Sequence, residues 1–159
     1  MKKENIGRLV AALVIPIVIG GISAALSAKG MINYATMNKP PLSPPAWMFP
    51  VAWTILYLMM GFASYLIVVS EGEMRSKAMA LIIYALQLLM NFMWSIIFFK
   101  WEQFMTAFAW LVVMFVFVIG CTIRFWRIKK LAAYMMIPYI AWLMFAAYLN
   151  MGAYILNQA

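Results

Sequence analysis

Apolar residues fill five long stretches of this chain, and polar residues gather in the breaks between them. The stretches predict helices over 6–27, 46–70, 78–99, 104–124 and 131–156. Each is near or above the ~20 residues that an α-helix needs to cross ~30 Å of hydrocarbon. Apart from 28–45 the connections are short, which predicts antiparallel neighbours in an all-α bundle of five transmembrane helices. No polar linker or charge run divides the chain, so one membrane domain over 1–159 is expected.

Composition agrees. The chain is 68% hydrophobic and 10% charged, against about 45–50% and about 25% in a soluble domain. The apolar run from Ile6 to about Ala28 is too long for a removable signal, which predicts that the first helix stays as an anchor. The net charge of +8 is a matter of topology. Lys2, Lys3, Arg8, Arg75, Lys77, Arg124, Arg127, Lys129 and Lys130 fall on the side of the N-terminus, and only Lys29, Lys39 and Lys100 on the other. This bias predicts a cytoplasmic N-terminus, an extracytoplasmic C-terminus and an outside position for 28–45. Nucleic acid is not an expected partner, and Cys121, the one cysteine, cannot form an intrachain disulfide.

Pro40, Pro41, Pro44 and Pro45 keep the long connection extended and deny it helix. A stiff segment of that length over the mouth of a bundle is expected to act as a lid. Three spans carry aromatic and polar stripes. Tyr84, Gln87, Asn91, Trp94 and Ser95 share one face of the third, which must look inward because an amide facing lipid costs several kcal/mol. Interhelical hydrogen bonding and a ligand site both account for that face. Tyr134, Pro138, Trp142, Ala146 and Asn150 recur every fourth residue in the fifth span; Trp47, Pro50, Trp53, Tyr57 and Gly61 line the second. Three converging stripes, two with prolines, predict a cavity. Gly20 and Ala24 form a small-xxx-small pair, a weak dimerisation signal. The fourth span, almost free of polar residues, is expected to face lipid or another subunit.

The interior lacks the groups most chemistries need. The chain has no histidine, and no Asp, Glu, Lys or Arg lies centrally in a span. A metal site, a hydrolytic triad and ion-coupled transport are therefore not expected, and no cofactor is predicted. What remains is a neutral, aromatic, weakly hydrogen-bonding receptacle for a flat apolar molecule.

The segments PPLSPPAWMFPVAWTILYLMMGFASY, YALQLLMNFMWSIIFF and YMMIPYIAWLMFAAYLN, in that order, resemble the TspO/MBR family of membrane receptors and translocators. The resemblance implies a five-helix bundle, often a homodimer, with a pocket opening toward the first loop. It implies porphyrins, sterols and synthetic isoquinoline carboxamides or benzodiazepines as ligand classes. It places Tyr34 in the lid and Trp53, Asn91, Trp94, Trp142 and Ala146 on the pocket wall. If members that promote light-dependent porphyrin breakdown are the guide, Trp53 and Trp142 are the photo-oxidative pair; otherwise no catalytic residue is implied. The sterol pattern of animal members needs a basic residue after Tyr154, where ILNQA has none, which puts that route to sterols in question.

Together these readings predict an integral protein of a bacterial plasma membrane. It binds porphyrin-like tetrapyrroles and other flat hydrophobic ligands through Tyr34, Trp53, Tyr57, Tyr84, Gln87, Asn91, Trp94, Pro138, Trp142, Ala146 and Asn150, with a porphyrin plane stacked on Trp53 and Trp142. Light-dependent porphyrin degradation, and a stress-linked sensor acting through a partner at Arg124–Lys130 and 71–77, are the alternatives.

Overall fold

The computed structural model describes residues 3–157. Five helices follow one another: α1 Lys3–Thr36, α2 Met48–Val69, α3 Met74–Ser95, α4 Phe104–Ile128 and α5 Lys130–Asn157. All five are long and apolar enough to cross a membrane, α3 together with the turn that follows it. There is no strand among the described residues. Packing closes the helices into a ring in the order α1–α2–α5–α4–α3, with α3 returning to α1.

Helix α1 departs most from expectation. It runs nine residues past position 27, to Thr36, so that its 34 residues measure about 50 Å at 1.5 Å per residue. Between Pro16 and Pro40 no residue lacks a backbone N–H, and Lys29, Asn33, Tyr34 and Thr36 suit a helix leaving the apolar layer. The expected lid therefore shrinks to 37–47, and Tyr34 sits in the last turns of α1 rather than in a loop. Gly30 makes the extension possible: a Cβ there would lie 1.6 Å from the carbonyl oxygen of Phe99. That carbonyl belongs to a wider π turn, Ile96–Lys100, which ends the α3 span. Its signature is the bond from the Trp101 N–H to the Ile96 carbonyl five residues back, at 3.0 Å.

The connection 37–47 is tied to α5. Asn157 accepts from the Asn38 N–H (3.1 Å) and donates to the Asn38 carbonyl (2.9 Å). The Tyr148 hydroxyl donates to the Pro41 carbonyl, and Pro40 lies against Gly152. At the opposite end of the bundle Lys77 donates to the carbonyls of Val68 and Ser70, both at 2.8 Å, and so closes the C-terminus of α2.

Helix α4 is half buried rather than wholly outward. Ala107, Leu111, Met114, Val118, Cys121 and Phe125 form its inner face, while Val112, Val113, Val116 and Ile123 are exposed. The barest helix is α1, with Val10, Val14, Ile15, Val18, Ile22 and Leu26 all exposed. Between them lies a core in which every large side chain is apolar, aromatic or hydrogen-bonded through neutral groups, apart from two atoms described below.

Candidate functional site

Alternating steps of three and four residues keep a helical stripe on one face. On α3 these steps hold Tyr84, Gln87, Asn91 and Trp94 inward, and all four are buried. On α2 they carry Trp53 and Tyr57 to the same space. The result is a cavity of about 290 Å³ between α1, α2 and α3, roofed by the 37–47 connection through Lys39, Pro44 and Ala46. Tyr34 and Phe49 stand where the roof meets the bundle. Gly20 faces Tyr57 so closely that a Cβ would lie 2.2 Å from its ring. Gly20 and Ala24 thus line the cavity.

The floor is a neutral hydrogen-bond network. Tyr57 donates its hydroxyl proton to Asn91 Oδ1 (3.3 Å), and Asn91 Nδ2 donates to the Tyr139 hydroxyl (2.8 Å). The amide keeps one further lone pair and one further N–H for a guest. The Trp94 indole N–H donates to Asn150 Oδ1 (3.2 Å), and Asn150 donates in turn to the Phe104 carbonyl (2.7 Å). Trp94 therefore offers its ring alone, and Asn150 orients Trp94 without lining the cavity.

The walls are aromatic. Trp53 stacks on Tyr57 at 5.6 Å and 30°, and meets Trp94 at 6.4 Å and 39°. Trp142 meets Trp53 at 6.2 Å but at 81°. No one plane is parallel to both Trp53 and Trp142, the expected stacking pair, whereas Trp53 lies at 30° to Tyr57 and 39° to Trp94. Trp142 and Ala146 border a smaller void of about 20 Å³ behind the cavity, walled by Tyr34, Phe49, Trp53 and Trp94. Among the described residues the one cation on the cavity lining is Lys39. Its Nζ donates to the Ala35 carbonyl (2.9 Å) and lies 5.5 Å from the centre of the Tyr34 ring.

Three sequence candidates lie elsewhere. Tyr84 stacks on Phe125 at 6.0 Å, below the floor; its hydroxyl has the Ser64 side chain beside it but makes no hydrogen bond of full geometry, the Ser64 hydroxyl donating instead to the Gly61 carbonyl (2.8 Å). Gln87 is wholly buried; Nε2 approaches Met60 Sδ at 3.9 Å and Oε1 has no partner. Pro138 is exposed on the outside of the bundle, as is Tyr134. The cause is arithmetic: each step of four overshoots one helical turn by about 40°, so Tyr134 and Asn150, four steps apart, differ by about 160°. The inner face of α5 instead follows Ala132, Met136, Tyr139, Leu143, Ala146 and Asn150. That face contains Tyr139, a floor residue the every-fourth stripe missed although steps of three and four would have found it. Phe49 and Phe99 are further lining residues, one step of four from Trp53 and from Ser95, while Lys39 has no periodic signal of its own.

A bundle of five helices apolar enough to span a membrane, enclosing an aromatic cavity, defines an integral membrane protein. The sequence model of the TspO/MBR family matches residues 12–156, and the chain belongs to that family. It is 37% identical over 124 residues to a tryptophan-rich sensory protein of Cereibacter sphaeroides, covering 78% of this chain and 76% of the relative. It is 30% identical to a tryptophan-rich protein TspO of Archaeoglobus fulgidus, over 96% of this chain and 99% of the relative. To the human translocator protein it is 35% identical, over 80% and 76%.

Proposed function

We propose that this protein is a receptor or translocator for flat, largely apolar molecules bearing an acidic edge, of the porphyrin type, held in the cavity between α1, α2 and α3. The observation that carries the reading is the combination of an aromatic wall (Trp53, Tyr57, Trp94) with a single rim cation, Lys39, in an otherwise uncharged interior. Stacking favours the ring system, burial favours its apolar edge, and Lys39 suits a carboxylate left toward water. Isoquinoline- and benzodiazepine-like compounds share the flat apolar part and fit the same reading. The names sensory protein and translocator protein, carried by relatives, are compatible with it. The nine-to-three distribution of basic residues supports a bacterial plasma membrane protein with the cavity mouth on the extracytoplasmic side. A homodimer is part of the proposal, supported by the wide bare apolar surface of α1.

The deciding measurement is a dark titration of the purified protein with protoporphyrin IX, followed through tryptophan fluorescence. Saturable quenching, weakened in Trp53→Ala, is expected; equal affinity in wild type and Trp53→Ala removes the cavity as the site. A second reading is favoured by one cluster. Trp53 is in ring contact with Tyr57, Trp94, Tyr139 and Trp142, a setting in which light-excited porphyrin and molecular oxygen have an electron-rich indole beside them. Illuminating the loaded protein tests it: pigment loss no faster than in protein-free detergent ends that reading.

A further inference from the structure

The outer surface between α2 and α5 is concave. Ala52, Ile55 and Met59 of α2 and Pro138, Ala141 and Phe145 of α5 border a groove of about 460 Å³. These six residues belong to helices apolar enough to span a membrane, and none carries a charged or hydrogen-bonding side chain; Trp142, which also borders the groove, brings an indole N–H. Ala52 and Ala141 leave the groove open because nothing extends beyond Cβ.

Trp142 lines this groove and also the 20 Å³ void inside the bundle. Tyr34, Phe49, Trp53 and Trp94 line that void and the main cavity alike. Only two layers of aromatic rings therefore separate the membrane face from the cavity. The first layer is the looser one. The indole N–H of Trp94 is held by Asn150 and that of Trp110 by the Met90 carbonyl. Trp142 has no such bond among the described residues and is positioned by edge contacts with Phe49 (6.3 Å), Trp53 (6.2 Å) and Phe145 (5.7 Å).

We propose that the α2–α5 groove is a lipid-side antechamber, in which a flat apolar ligand dissolved in the bilayer docks before passing Trp142 into the cavity. The idea rests on the ligand class proposed above. An apolar guest partitions into the membrane, and a groove lined almost wholly by apolar side chains, between two helices apolar enough to span it, is where it meets the protein without crossing water. The 37–47 connection, latched to α5 through Asn157, then stays shut during loading.

The test is stopped-flow transfer of protoporphyrin IX between liposomes and the protein reconstituted in liposomes. Ala141 is exposed, so Ala141→Trp adds bulk in the groove and not in the core. Loading and release rates are both expected to fall about tenfold in Ala141→Trp, with Kd within about twofold of wild type, since blocking a path slows both directions equally. Trp142→Ala is expected to raise both rates several-fold. If Ala141→Trp melts early, Ala141→Leu serves with a smaller slowing of the same sign. Saturable binding with rates within twofold of wild type in all these variants overturns the antechamber and leaves the cavity reading standing. Absence of saturable binding by the wild type overturns both.

Discussion

The buried polar groups of α3 divide into two populations one turn apart. Asn91, at the cavity floor, bonds to Tyr57 and Tyr139 and retains spare capacity. Tyr84 and Gln87, deeper toward the other end, each leave one oxygen without a partner. The same face of one helix thus passes from a satisfied network to an unsatisfied pair. An unmade hydrogen bond in a dry interior costs about 1–3 kcal/mol. The contrast shows that inward-facing polar residues in a membrane helix are not all of one kind: those that border space organise it, and those packed in the core are a local cost.

The largest effect that would break the contrast is expected at Asn91. Asn91→Leu strands the Tyr57 hydroxyl, leaves Tyr139 only its weak bond to Met114 Sδ (3.9 Å), and should destabilise the protein by about 2–4 kcal/mol. A fall on the order of 10 °C in the melting temperature in detergent checks this, and an unchanged melt would show that the floor network holds nothing. Next comes Trp53→Ala, which leaves the network intact and removes the wall. Porphyrin binding should weaken by about 1–3 kcal/mol, roughly 5- to 150-fold, with a smaller change in melting. Tyr84→Phe sharpens the comparison from the other side. Removing a hydroxyl with no partner should be neutral or stabilising by up to about 1 kcal/mol. A clear drop in melting temperature there would reveal a partner that the packing conceals. The smallest effect is expected for Lys39→Gln at the rim. It should lower affinity for a dicarboxylate porphyrin by less than about 1 kcal/mol, and the loss should vanish at high salt. A porphyrin esterified at both carboxyls should not distinguish the two proteins.

Much of the architecture was legible before any coordinate was known. Five apolar runs of bilayer length admit little besides a helical bundle, and the tryptophan and amide spacings of α2 and α3 lead directly to Trp53, Tyr57, Asn91 and Trp94 around one space. The misreadings have physical causes. The α5 pattern was followed at a constant step of four, which drifts around the helix and delivered Pro138 to the outside in place of Tyr139. Hydropathy falls after position 27, but a helix needs only its backbone bonds to continue, so Tyr34 is helical where hydropathy alone predicts a loop. Lys39 owes its place on the rim to how the 37–47 connection folds back, and that is a tertiary matter no local spacing encodes. Trp142 was read as a stacking surface; it is the 81° angle to Trp53 that makes it an edge-on wall instead.

The close seat of Gly30 on Phe99 has a mechanical side. With backbone resting on backbone, the outer third of α1 and the π turn are welded into a single post, and Asn33 adds a rivet to Glu102 at 2.8 Å. One jamb of the mouth is therefore fixed. Any widening to admit or free a bulky guest has to be borne by the opposite jamb, where α2 and α5 meet.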